Sequence, residues 1–271
     1  MDNLVFELKG VNFSYLGKYP ALDGVDINIR RGERITIIGA NGSGKSTLLH
    51  MLDGLIFPDK GTMKAFGRPL EEDLFNDENF SADFRKKVGL VFQNSDIQLF
   101  CPTVKEDICF GPIQLGVGKR EIEKRLDELI TILHIKDLLP RSPHQLSIGE
   151  KRKVAIASVL MIDPDVLIVD EPTAGLDPLT TRHIIDLLLE ASAVGKTIVT
   201  ATHDLHIVEE LSTMVYVFGQ EKRIVRSGSP REILEDNQLL QANNLIHIHR
   251  HRHKDTIHAH PHLHIYHHDE G

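Results

Sequence analysis

Gly39-Ala40-Asn41-Gly42-Ser43-Gly44-Lys45-Ser46-Thr47 follows directly on the apolar run Ile35 to Ile38 and leads directly into Ser46 to Leu55, a stretch of helical spacing. The segment fits G-x-x-x-x-G-K-[ST] in the strand-then-helix setting that this motif requires. Its glycines let the chain wrap with N–H groups aimed inward, and the helix N-terminus adds partial positive charge. Lys45 reaches the terminal phosphates and the Ser46 hydroxyl can ligate Mg²⁺. Residues Gly39, Ala40, Asn41, Gly42, Ser43, Gly44, Lys45, Ser46 and Thr47 are therefore expected to bind a nucleoside triphosphate. A generic Gly-rich turn is the weaker reading, because both flanks are present.

Further along, Val166-Leu167-Ile168-Val169-Asp170-Glu171 is an apolar strand ending in two carboxylates. That places Asp170 at the tip, where it can hold the Mg²⁺ shell, and leaves Glu171 free for water. The dull alternative, an exposed acidic pair at a strand end, loses weight once Lys45 is considered with it. Val5 to Leu8, Val25 to Ile29, Arg34 to Ile38 and Val88 to Phe92 also read as strands, short and rich in β-branched residues. Lys119 to Leu133 carries Ile122, Leu126, Leu129, Ile130 and Leu133 on one helical face. Val166 to Val169 and Thr197 to Ala201 flank the amphipathic Thr180 to Ala193, and strand, helix, strand argues for a parallel sheet. The fold class is expected to be α/β.

Composition closes off several function classes. A net charge of −8 argues against nucleic acid held on a broad basic surface. No run approaches the eighteen or so apolar residues of a spanning helix, and Met1 to Gly10 lacks the pattern of a signal peptide, so the chain is expected to stay where it is made. Cys101 and Cys109 have neither metal-type nor C-x-x-C spacing, which fits a reducing compartment.

Upstream of the acidic strand, Leu146-Ser147-Ile148-Gly149-Glu150 resembles the signature motif of ABC-type ATPases. The resemblance covers roughly residues 3 to 245. It implies a mixed, largely parallel sheet core with an antiparallel β subdomain and a helical signature subdomain at about 94–160. By that resemblance Gln93 contacts Mg²⁺ or the attacking water, His203 contacts the γ-phosphate, and Tyr15 stacks on adenine, although a merely buried Tyr15 is also open. Ser147 and Gly149 act on ATP bound to a second subunit, so the implied unit is a dimer, either of this chain or with a paralogue. Asp177, in Ala174-Gly175-Leu176-Asp177-Pro178, matches the loop that crosses between subunits. The implied chemistry is in-line attack of water on the γ-phosphate, with Glu171 orienting the water and Lys45 and Mg²⁺ neutralising charge. One departure is Ile148, where the family usually has glycine, since a branched side chain restricts φ and crowds approach to phosphate.

Asn94 to Pro112, with Leu99, Phe100 and Phe110, looks like the ATPase subunits of energy-coupling-factor importers, in which this segment receives coupling helices of a transmembrane scaffold; ordinary core packing is the competing reading. Gly149-Glu150-Lys151-Arg152-Lys153 looks closest to the cobalt and nickel branch, though vitamin importers of the same group share much of it. The resemblance implies a scaffold and a substrate-capture subunit as partners, and a peripheral position on the cytoplasmic face of the membrane. A cytosolic ATPase that stores or delivers metal without transport is the rival expectation.

After residue 245 the composition changes, and ten of the sixteen histidines lie between His247 and His268. Residues 1–245 are expected to form the nucleotide-binding domain, and 246–271 a tail that is disordered without metal. Two copies of I-H-x-H-x-H-x-H run from Ile246 to His253 and from Ile257 to His264. Imidazole suits Ni²⁺, Co²⁺ and Zn²⁺ rather than Mg²⁺. The candidate ligands are His247, His249, His251, His253, His258, His260, His262 and His264. If extended, a four-residue turn from Lys254 to Ile257 would set His253 opposite His258 and His251 opposite His260. Pro261 weakens such pairing, and Arg250 and Arg252 repel a cation.

Overall fold

Alternating apolar and polar residues make Leu4–Tyr15 (β1) and Tyr19–Arg30 (β2) a long antiparallel ribbon with one face buried. The computed structural model describes residues 3–253 and 256–262, with backbone alone from His247 onward. Arg34–Gly39 (β3) leads through the glycine loop into Lys45–Leu52 (α1), and Lys60–Ala65 (β4) and Arg68–Pro69 (β5) complete the antiparallel sheet in the order β2-β1-β4-β5. Glu78–Lys87 (α2) then precedes the fully buried Val88–Val91 (β6).

Three helices follow, Val104–Gln114 (α3), Lys119–Leu133 (α4) and Ile148–Leu160 (α5), and they pack on one another. The rest alternates: Val166–Asp170 (β7), Pro178–Ala193 (α6), Thr197–Thr202 (β8), Val208–Leu211 (α7), Met214–Phe218 (β9) and Ile224–Gly228 (β10). Pro230–Glu235 (α8) and Asn237–Ala242 (α9) complete the body.

The second sheet has the order β10-β9-β3-β8-β7-β6, parallel from β9 to β6, with β10 antiparallel at one edge. Strands β6, β7 and β8 are buried along their whole length, as expected of a sheet covered on both faces. Helix α1 inserts Leu48, Leu49, Met51 and Leu52 into the core shared by the two sheets. The ends of β3, β6, β7 and β8 lie at one edge of this sheet, where open α/β sheets place their ligands. The mixed sheet and antiparallel layer match the expected fold class.

The histidine-rich segment forms His247–His253 (β11) and Thr256–His262 (β12), paired antiparallel. The expected register is corrected: His251 lies opposite His258, His249 opposite His260 and His247 opposite His262. Pairing of His253 with Thr256 leaves two residues between the strands in place of a longer turn, which slides the partner strand by two. His264 lies outside the described residues.

Candidate functional site

The site begins where β3 ends. A Cβ at Gly39 would stand 2.6 Å from Ser43 Oγ, and one at Gly44 would stand 2.4 Å from the Ala21 carbonyl, with Gly44 at φ +116°. Only glycine lets the loop pass so close to β2 and turn into α1. As the N-cap of α1, Gly44 brings no side-chain hydrogen bond, so the first turn keeps its donors for a ligand. Lys45 is buried, and its ammonium donates to the carbonyls of Gly39 at 2.8 Å and Ala40 at 3.3 Å. Burial holds its pKa below the ordinary lysine value, against the opposing pull of Glu171 and Asp170.

Tyr15, Tyr19, Gly42, Lys45, Gln93 and Glu171 converge on one cavity of about 480 Å³, with Ser46 and Thr47 also in its wall. This is room for a small ligand. The Tyr15 hydroxyl is 3.2 Å from Thr47 Oγ1 and the residue is 42% exposed, so the merely buried reading fails. Asp170 is buried and its pKa is raised mainly by that burial, with the Ser46 side chain pulling the other way. Its Oδ1 has no hydrogen-bond partner within the protein. A buried carboxylate oxygen left open beside a hydroxyl and an ammonium suits Mg²⁺, a hard cation bound by oxygen. Buried Ser43 Oγ is likewise unpartnered.

Glu171 differs from its expectation. Its backbone sits at φ +47°, and both carboxylate oxygens have partners: Oε1 is 2.8 Å from His203 Nδ1, and Oε2 accepts from the Thr202 hydroxyl at 3.1 Å. The reading that left Glu171 free for water is corrected, because adjacent β8 delivers Thr202 and His203 to it. That hydrogen bond raises the pKa of His203 against the effect of burial. An accepting oxygen has a second lone pair, so Glu171 keeps the capacity to orient a water.

The signature residues stand apart. Ser147 and Gly149 are not among the residues lining the cavity. Ser147 caps α5, its hydroxyl accepting from the Glu150 N–H at 3.3 Å while the Glu150 carboxylate accepts from the Ser147 N–H at 2.7 Å. Ile148 is 67% exposed beside them. Asp177 caps α6, accepting from the N–H groups of Leu179 and Thr180.

Sequence reasoning missed several participants. Arg152 is buried, and its guanidinium donates to the carbonyls of Phe92 at 2.7 Å and Gln93 at 2.6 Å, fixing the loop that presents Gln93. It stands in the run Lys151-Arg152-Lys153, where its inward direction has no sequence signal beyond helical phase. Tyr19 was missed as a second ring at the cavity mouth, and Lys222 because the β9–β10 turn brings it from far along the chain to the Gly42 carbonyl.

On another face, a groove of about 950 Å³ runs between α3 and α4, lined by Cys101, Cys109, Phe110, Ile113 and Leu126 among others. Phe100 and Phe110 are exposed and meet edge to face at 5.0 Å. Leu99 is corrected to a core residue, buried in the cluster formed with α3, α4 and α5.

The profile of the family described as ABC transporter matches residues 22–174. The chain is 46% identical to the nickel import ATP-binding protein NikO of Rhodobacter capsulatus, over 89% of this chain and 95% of that one. It is 39% identical to the energy-coupling factor transporter ATP-binding protein EcfA of Methanocaldococcus jannaschii, over 89% and 85% of the two chains. Among solved structures, cbiO1 from Clostridium perfringens, part of the ABC transporter complex cbiONQ, superposes with a TM-score of 0.76 at 36% identity, covering 90% of this chain and 95% of that chain.

Proposed function

From the premise that this chain belongs to the ABC transporter ATP-binding proteins of energy-coupling-factor type, and hydrolyses ATP, we propose that it energises import of cobalt or nickel ions through an integral membrane partner. The observation that carries this is the convergence of Tyr15, Lys45, Ser46, Gln93 and Glu171 on one cavity in a chain similar along most of its length to a nickel import protein. Among the described residues no helix is long and apolar enough to cross a membrane, so passage of the ion requires a partner that does.

Tyr15 stacks on the adenine, and the loop from Gly39 to Thr47 takes the phosphates on its N–H groups. The Lys45 ammonium, now on the Gly39 and Ala40 carbonyls, transfers to the terminal phosphates when they enter. Ser46, Asp170 and Gln93 would hold Mg²⁺, which when bound neutralises charge on the β- and γ-phosphate oxygens. Glu171 orients the attacking water in line with the γ-phosphate, and His203, its hydrogen-bond partner, donates to the γ-phosphate. Preorganised charge and alignment carry the acceleration.

Ser147 and Gly149 complete the site of a second subunit, this chain or a paralogue, which accounts for their absence from the cavity wall. The groove beside Phe100 and Phe110 seats the coupling helices of the membrane scaffold, holding the protein peripherally at the cytoplasmic face. A separate subunit captures the ion. The histidines from His247 to His264 bind the same class of ion, Ni²⁺ or Co²⁺, on the cytosolic side.

In cells carrying the whole complex, Glu171→Gln is expected to abolish Ni²⁺ or Co²⁺ uptake while the membrane scaffold still copurifies with the chain. Unchanged uptake, or a chain that copurifies with soluble proteins alone, overturns the transport reading in favour of a cytosolic storage or delivery ATPase.

A further inference from the structure

The two histidine strands are rooted in the body. Leu245 and Ile246 are each 4% exposed and belong to the core cluster formed with Ile38, Val217, Ile233 and Leu240. His247, the next residue, opens β11. Its antiparallel pairing with β12 places His247 opposite His262, His249 opposite His260 and His251 opposite His258. Strand residues two apart share a face, so these six histidines occupy register positions on one side of the ribbon. Ile248, Arg250 and Arg252, opposite Pro261, Ala259 and Ile257, occupy the other. Arg250 and Arg252 thus take register positions on the face opposite these histidines, which weakens the objection that they repel a cation there. Pro261 falls in a ribbon whose strands are both edges, where a missing donor is tolerated.

We infer that β11 and β12 form a binding site for borderline divalent cations in which the ligating unit is a cross-strand histidine pair, and that the cation holds the two strands in register. Directly opposed residues of an antiparallel pair stand roughly 4.5–5.5 Å apart at Cα. Metal–imidazole bonds are about 2.0–2.1 Å, so one cation can be reached from both strands of a pair. An isolated two-stranded ribbon is marginal in water, and a ligand that binds only the closed form stabilises it. Each strand alone offers histidines at alternate positions; pairing turns them into three two-histidine sites on a fixed root. The inference rests on the tail reading proposed above for the class of cation and adds the ligating unit to it.

The test counts Ni²⁺ ions bound by the full-length protein, using calorimetry and equilibrium dialysis. His249→Asn with His260→Asn removes both members of one pair, and His249→Asn with His258→Asn removes one member from each of two pairs. Both delete two imidazoles from a segment outside the nucleotide site, so ATP hydrolysis serves as the control for folding. The second variant is expected to lose about twice as many tail-bound Ni²⁺ ions as the first, if sites act independently. Equal losses overturn the paired unit while leaving a metal-binding tail. Full Ni²⁺ binding by a chain ending at Ile246 overturns the tail reading itself.

Discussion

Two helix N-termini face different tasks. Helix α1 starts at Gly44 with no side-chain cap, and its open donors look into the nucleotide cavity. Helix α5 starts at Ser147 with a complete capping box, the N–H groups of Ser147 and Glu150 satisfied before any ligand arrives. Helix termini are anion sites only while their donors are free. The phosphate end of this protein is thus preformed, whereas the signature end is a stable surface that meets a ligand with its Ser147 hydroxyl already engaged.

The comparison can be broken most severely at Gly44. Gly44→Ser offers α1 the kind of cap that α5 has, but its Cβ meets the Ala21 carbonyl at φ +116°. Strain of that kind costs on the order of 1–3 kcal/mol, and the loop must move away from its ligand. ATP affinity measured by calorimetry is expected to fall at least about tenfold; unchanged affinity would mean that the loop shape is not what binds the phosphates.

At α5 the expected effect is on stability. Glu150→Ala removes half of the capping box and is expected to cost about 1 kcal/mol near neutral pH, read from denaturant unfolding. The Ser147 N–H and hydroxyl hold the Glu150 carboxyl below its ordinary value of 4.5. A carboxylate with a depressed folded pKa contributes stability above its unfolded pKa and loses it as pH falls through the folded one. The gap between wild type and Glu150→Ala should therefore narrow below about pH 4.5. A pH-independent gap would show that the cap works without its charge.

The smallest effect is expected at Ile148. Its side chain is exposed and leaves the capping box untouched. Ile148→Gly should leave ATP turnover unchanged or raise it, because a smaller residue eases approach to a second subunit's phosphates. A collapse of turnover in a folded variant would make Ile148 a required contact.

How much of this was legible in the sequence depended on how local each signal was. Helix α4 was delimited from its apolar spacing, Lys119 to Leu133, because one face meets the core and the other water. The phosphate loop was legible for a similar reason, since its glycines answer to backbone geometry within nine residues. Glu171 was misjudged because its partners arrive on β8, some thirty positions later, through sheet order that spacing does not encode. Helix α2 was passed over: its sequence is polar, and Phe80 and Phe84 find Phe75 only after the chain folds back. In the tail, disorder without metal was expected and strands only as a conditional alternative; alternation also left the register open, because a slip of two residues keeps histidine facing histidine.

Arg152 gives α5 a mechanical character. One turn beyond the signature, its guanidinium clamps the carbonyls of Phe92 and Gln93, and Gln98 grips the same helix at the Ala155 carbonyl and Ser158 hydroxyl. The segment from Phe92 to Gln98 is thereby bolted to α5 at several points, and it runs directly into core residue Leu99 and then Phe100, whose ring meets Phe110 in the groove wall. Any shift of α5 must therefore carry Phe92, Gln93 and Gln98 with it or break these four hydrogen bonds.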